Sequence, residues 1–246
     1  MRIIVWFLFL SVLAGCATVP EEPPTPRELY EEAHQLQSRA DYEQAIDKFD
    51  ELTATYPASS YAQQAMLDLV YLQYTRGDYA GALTAADRFM QAYPDHPHAA
   101  YAIYLEGLSH FREDQNLIDR LGFQDPAERN PDSMRQAFFA FKKLLDNYPG
   151  SRYAEDSATR MRYLINALAQ HEIYVANYYL RRGAPLGAIS RAKVVLDVYP
   201  DSLAGEEALT VLVQAYEIMG AKEDEQKARR LLEVNFPDNP LAQAER

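Results

Sequence analysis

A lone thiol, two closely spaced imidazoles and three arginines are the groups in this 246-residue chain whose type and spacing could do chemistry. Cys16 is the only cysteine, which excludes an internal disulfide and argues against a thiolate metal cluster. His96 and His98 flank Pro97 and could ligate a metal as a pair, but no cysteine accompanies them and the proline marks a turn. Arg181, Arg182 and Arg191 are cations in a chain of net charge −12. At a helix end an arginine complements the helix dipole. Arg191, expected mid-helix, lacks that explanation and could hold an acidic partner surface through bidentate pairs. No phosphate-binding loop, nucleophile elbow, zincin helix or dinucleotide fingerprint is present. The expectation is a binding protein, not an enzyme, with no catalytic residue, cofactor or metal. The acidic balance also argues against nucleic acid, whose phosphates need a basic patch.

The residues around Cys16 decide how its thiol is read. Arg2 precedes an apolar run over residues 3–14, about 12 residues and too short to span a bilayer, which ends in Leu13-Ala14-Gly15-Cys16. This resembles a bacterial lipobox, in which the leader is cut just before an acylated cysteine. The resemblance implies a signal peptide over 1–15 and a lipid on Cys16. Ala17, where an aspartate commonly signals inner-membrane retention, implies the outer membrane. Several acyl chains on one residue anchor stably, at about 0.8 kcal/mol per buried methylene. Residues 16–26 then form a lipidated tether, with four prolines and two glutamates between 19 and 26.

The elements that would position these groups come from an internal repeat. An aromatic-proline pair recurs as Tyr56-Pro57, Tyr93-Pro94, Tyr148-Pro149, Tyr199-Pro200 and Phe236-Pro237, spaced 37, 55, 51 and 37 residues apart. Aligned on the aromatic, Ala40, Gly77, Asp132, Gly183 and Gly220 share one position, and Ala45, Ala82, Ala137, Ala188 and the exception Glu225 share another. So do Leu52, Phe89, Leu144, Val195 and Leu232, and Ala62, Ala99, Ala154, Gly205 and Ala242. Proline closes one helix and opens the next. Small residues admit a neighbouring helix, and the residue in the turn permits a tight reversal. The expected fold is all-α, a tetratricopeptide-type solenoid of about five helix pairs.

Thr25-Pro26-Arg27-Glu28 reads as a capping box with proline at the first helical position. Further helices are expected over 59–76, 78–92, 97–112, 132–147, 151–182, 185–198, 203–219 and 221–235. The expected layout is N-terminal repeats over 27–112, an insert loop over 113–131, C-terminal repeats over 132–236 and a tail over 237–246. Residues 151–182 lack both Gly and Pro and should form one long helix joining the two halves.

Within this register the chain resembles the BamD family, tetratricopeptide lipoproteins of the β-barrel assembly machinery. The likeness rests on Ser60-Tyr61-Ala62-Gln63-Gln64-Ala65, Asp87-Arg88-Phe89, His96-Pro97, Tyr178-Tyr179-Leu180-Arg181-Arg182-Gly183-Ala184 and Arg191-Ala192. It implies binding to the last POTRA domain of BamA through the C-terminal repeats, with Arg182 and Arg191 at the contact. It also implies capture of the C-terminal β-signal of unfolded outer-membrane proteins on the N-terminal repeats, with Tyr61, Gln64 and Arg88 as candidate contacts. BamC- and BamE-like lipoproteins are further implied partners, and the periplasmic face of the outer membrane is the implied location. Ser190 stands where the family has asparagine, and Asn130-Pro131 where it has Asp-Pro. The rival reading is a pilotin-like repeat lipoprotein escorting a secretin, which should lack the insert and the long helix.

Overall fold

The computed structural model describes residues 22–119 and 131–243. Cys16, the expected leader and residues 120–130 of the expected insert lie outside them. The described residues form α1 (Pro26–Ser38), α2 (Tyr42–Thr55), α3 (Ser60–Arg76), α4 (Tyr79–Ala92), α5 (Ala99–Asp119), α6 (Pro131–Asn147), α7 (Ala154–Arg181), α8 (Pro185–Val198), α9 (Gly205–Met219), α10 (Lys222–Asn235) and α11 (Pro240–Gln243). Each helix packs on the next, and α1 touches α3, α3 touches α5, and α7 touches α9. This is the stacking of helix pairs in an α-solenoid.

The repeat positions do the work their types suggest. Ala45, Ala82, Ala137 and Ala188 are fully buried where paired helices approach, and Leu52, Phe89, Leu144, Val195 and Leu232 are buried beside them. Gly77, Gly183 and Gly220 turn between helices with positive φ, and Ala40 does so at φ 64°, a conformation costly for a side chain with a Cβ. Asp132 departs from this register. It lies inside α6, because Pro131 opens that helix one residue earlier. The capping box is present: Glu28 N–H donates to Thr25 Oγ1 (3.3 Å) and Thr25 N–H to Glu28 Oε2 (2.8 Å).

Three expected boundaries are corrected. The insert loop does not begin at 113, since α5 runs on to Asp119; no Gly or Pro between 108 and 119 interrupts it. The long helix starts at Ala154 rather than 151, because Ser151 Oγ accepts from Tyr153 N–H (3.2 Å) and forms a turn. The C-terminal tail is partly helical and docked: Arg229, bonded to Glu225, donates to the Leu241 carbonyl (2.7 Å), and Ala242 is buried. Glu225 therefore stands in the repeat alanine's place where Arg229 ties α10 to α11.

The tyrosine of each of the first three aromatic-proline pairs reaches back one unit. Tyr56 Oη donates to the Pro24 carbonyl (2.9 Å), Tyr93 Oη to Pro57 (2.5 Å) and Tyr148 Oη to Pro94 (3.4 Å). The first of these ties Pro24, just ahead of α1, to the end of α2. Tyr93 is only half-buried, so its ring contributes less than a core phenylalanine. Tyr93→Phe should lower unfolding free energy by about 1 kcal/mol, the net worth of one hydrogen bond. Chemical unfolding checks this, and an unchanged midpoint would show that water replaces the tyrosine without loss.

Two core clusters meet inside α7. Leu164 and Leu168 belong to the cluster built with α1–α6, and Ala169, Ile173 and Ala176 to the one built with α8–α11. The 28 residues of α7, roughly 42 Å at 1.5 Å per residue, thus join the halves.

Candidate functional site

The N-terminal half gathers its aromatic and polar side chains on the first helix of each pair. Asp68 of α3 organises them. It accepts from Tyr30 Oη (2.8 Å), meets His34 Nε2 at 3.2 Å and accepts from Gln64 Nε2 (3.0 Å). The Tyr61 ring sits 5.4 Å from that of Tyr30. Tyr61 and Gln64 therefore belong to one cluster, formed because positions 61, 64 and 68 share a helical face. Arg88 does not join it. Its guanidinium pairs with Asp50 of α2 (3.0 Å), on the second helices of the pairs.

The aromatic row continues along α5 and α7. Tyr153 stacks on Tyr104 (4.8 Å) and Tyr101 (5.5 Å), and Phe111 meets Tyr163 (5.6 Å). Tyr104 Oη donates to Asp156, which also takes Arg160 Nε (2.6 Å). Burial, with the Asp156 hydrogen bond, pushes the Tyr104 phenol up to about 12, and burial beside Tyr153 does the same for Tyr101. Burial pushes Asp156 upward, but its bonds from Arg160 and Tyr104 outweigh that and hold it below the usual carboxylate range. The phenols thus remain neutral donors at neutral pH. Tyr71 and Tyr163 stay half exposed along the row. The Asp68 and Asp156 pairings, 38 and 52 residues away in sequence, carried no local signal.

In the C-terminal half, Arg182 ends α7 with its guanidinium 5.6 Å from the centre of the exposed Tyr178 ring. Arg191 has an internal partner that sequence reading did not find. Its Nη1 donates to Glu172 Oε2 (3.0 Å), and Arg135 Nη2 lies 3.6 Å from the other carboxylate oxygen. Glu172 is 2 % exposed, in the stretch of α7 where the two cores meet. Its hydrogen bond raises the Arg191 pKa above the ordinary value. The Arg191 side chain keeps 41 % of its surface exposed, so its outer edge faces solvent.

His96 and His98 are committed to a turn, the His98 N–H donating to His96 Nδ1 (3.1 Å). Among the described residues no cluster of three His, Cys, Asp or Glu could hold a metal, and no helix is long and apolar enough to cross a membrane.

These stacked helix pairs define a tetratricopeptide-type repeat protein. The family YfiO, described as an outer membrane lipoprotein, matches residues 23–231. Outer membrane protein assembly factor BamD of Neisseria meningitidis serogroup A is 36 % identical over 239 residues, 95 % of this chain and 90 % of that protein. BamD of Vibrio cholerae is 36 % identical over 230 residues, 93 % of this chain and 95 % of its own. The chain belongs to the BamD family. Among solved structures, the type IV pilus biogenesis factor PilW covers 89 % of this chain and 97 % of its own at 13 % identity and a TM-score of 0.36.

Proposed function

We propose that this chain is a lipid-anchored component of the outer-membrane β-barrel assembly machinery, facing the periplasm. Its C-terminal half binds the POTRA segment of BamA, with Arg182 and the outer edge of Arg191 at the contact. Its N-terminal half takes the C-terminal β-signal of unfolded outer-membrane proteins. BamC- and BamE-like lipoproteins complete the assembly. The observation that carries this reading is the aromatic row along α1, α3, α5 and α7, edged by Asp68, Gln64 and Asp156. An extended segment rich in aromatic side chains fits such a row, while the polar edge meets its backbone. Anchor and docking then hold the captured strand beside the barrel at high effective concentration. The long α7 also suits this reading over a pilotin-like one.

Affinity purification from membranes should recover BamA, and recovery of a secretin in its place would sink the proposal. A photo-crosslinker at Tyr61 should capture a β-signal peptide, whereas one at Arg88, held by Asp50 on another face, should capture less. Cys16→Ser should abolish palmitate labelling and release the chain from membranes. Unchanged membrane association of that variant would remove the lipid anchor from the account.

A further inference from the structure

The turn between α2 and α3 differs from its counterparts along the same edge of the array. Five turns begin with an aromatic-proline pair, and each of the last four carries a charged side chain within its first six residues: Asp95 in 93–98, Arg152 in 148–153, Asp201 in 199–204 and Asp238 in 236–241. Residues 56–61 carry none, and the uncharged stretch around them runs from Leu52 to Leu67, 16 residues in a chain that is 24 % charged. Pro57, Ala58 and Ser60 are exposed, so burial does not account for the missing charge. The turn is braced from both sides, by the Tyr56 hydroxyl on the Pro24 carbonyl (2.9 Å) and the Tyr93 hydroxyl on the Pro57 carbonyl (2.5 Å). The first of these bonds also holds Pro24 beside the turn, and Cys16 lies only eight residues before Pro24. Eight residues span at most about 29 Å, even fully extended.

We propose that the turn over residues 56–60 faces the phospholipid surface into which the anchor inserts, so that the first helix pair is the membrane-proximal end of the array. This rests on the reading that Cys16 carries the lipid, and it adds which face of the fold that lipid holds toward the bilayer. Two observations act together. The short reach from Cys16 to Pro24 keeps the turn close to the surface, and the missing charges let it approach. An uncharged turn meets lipid headgroups without stripping water from an ion. It also escapes the repulsion that an acid feels within a screening length, about 8–10 Å, of an anionic surface. Asp95, Asp201 and Asp238 would each meet both costs in the equivalent place. Tyr61 and Gln64 follow the turn directly, in the first two turns of α3. The surface proposed to take signals is therefore held near the bilayer as well.

The acylated full-length chain is reconstituted in vesicles of phosphatidylethanolamine and phosphatidylglycerol that include a lipid with a nitroxide on its headgroup. A fluorophore is attached through Ala58→Cys or, at the equivalent exposed position of a distant turn, through Asp201→Cys. The acylated Cys16 does not compete for the label. Thermal melting establishes that both variants fold, and flotation with the vesicles that they are anchored. The nitroxide should quench the label at 58 several-fold more than the label at 201. A flexible Gly-Ser insert between Glu22 and Pro23 that doubles the tether should lower quenching at 58 while the chain still floats. Equal quenching at the two positions in floated protein, or more at 201, would overturn the orientation and leave the lipid anchor standing. Undiminished quenching with the longer tether would overturn chain length as its cause. Failure to float would overturn the orientation and the anchor together.

Discussion

Replacing Arg191 by alanine should lower the unfolding free energy by about 3 kcal/mol, the low end of the cost of breaking a buried ion pair. Glu172 is the reason. Its carboxylate sits in α7 at 2 % exposure, held from α8 by Arg191 at 3.0 Å and approached from α6 by Arg135 at 3.6 Å. Without Arg191 the carboxylate stays buried with only the longer contact. That contact, and the partial exposure of Arg191, keep the loss at the low end. The same change in a Glu172→Gln background should cost below about 1 kcal/mol, because no buried charge is left behind. Urea unfolding of the four proteins gives the coupling directly, and equal losses in both backgrounds would show that the pair is not what holds α7 to α8. The consequence for partner binding is practical. A weakened BamA contact in Arg191→Ala alone mixes docking with loosening of the junction. In the Glu172→Gln background a remaining loss of about 2–5 kcal/mol in affinity would belong to the contact itself.

Gly107→Ala should destabilise the chain by about 1–2 kcal/mol although alanine is the better helix former. Inside a helix the exchange gains about 1 kcal/mol in propensity. At this position the new Cβ would stand 2.6 Å from the Phe141 ring, and Phe141 is fully buried in α6 with no room to swing away. Overpacking of this kind costs about 1–3 kcal/mol, and a clash with three ring atoms within 2.9 Å places it at the upper end. Gly150→Ala is the control, with nothing within 4 Å, and should change stability by less than about 0.5 kcal/mol. The effect should reach the binding surface too. Tyr104 lies against Phe141 (6.2 Å) and stacks on Tyr153, so a displaced α5 disturbs the aromatic row. Thermal unfolding together with peptide titration measures both. A Gly107→Ala protein more stable than its parent would mean that α5 and α6 separate freely.

What could be read from the chain alone was periodic or local. The aromatic-proline pairs, the small residues at fixed offsets and the Thr25–Glu28 capping box act within a few residues of themselves, so they mark helix starts, turns and the pair architecture without any distant partner. Family motifs around Tyr61, Arg88 and Arg191 were legible for the same reason. The tertiary structure decided the direction in which each of those side chains is spent. Arg88 and Arg191 look alike in sequence, each a cation on the second helix of a pair, yet one meets Asp50 at half exposure and the other meets a buried carboxylate. The difference lies in which helix packs opposite, 38 residues away in one case and 19 in the other. The energy of an ion pair depends on the water excluded around it, and that exclusion arises only when α6, α7 and α8 close over Glu172. The same holds for Asp68, an unremarked acid in sequence, which becomes the organiser of Tyr30, His34 and Gln64 once α1 lies across α3.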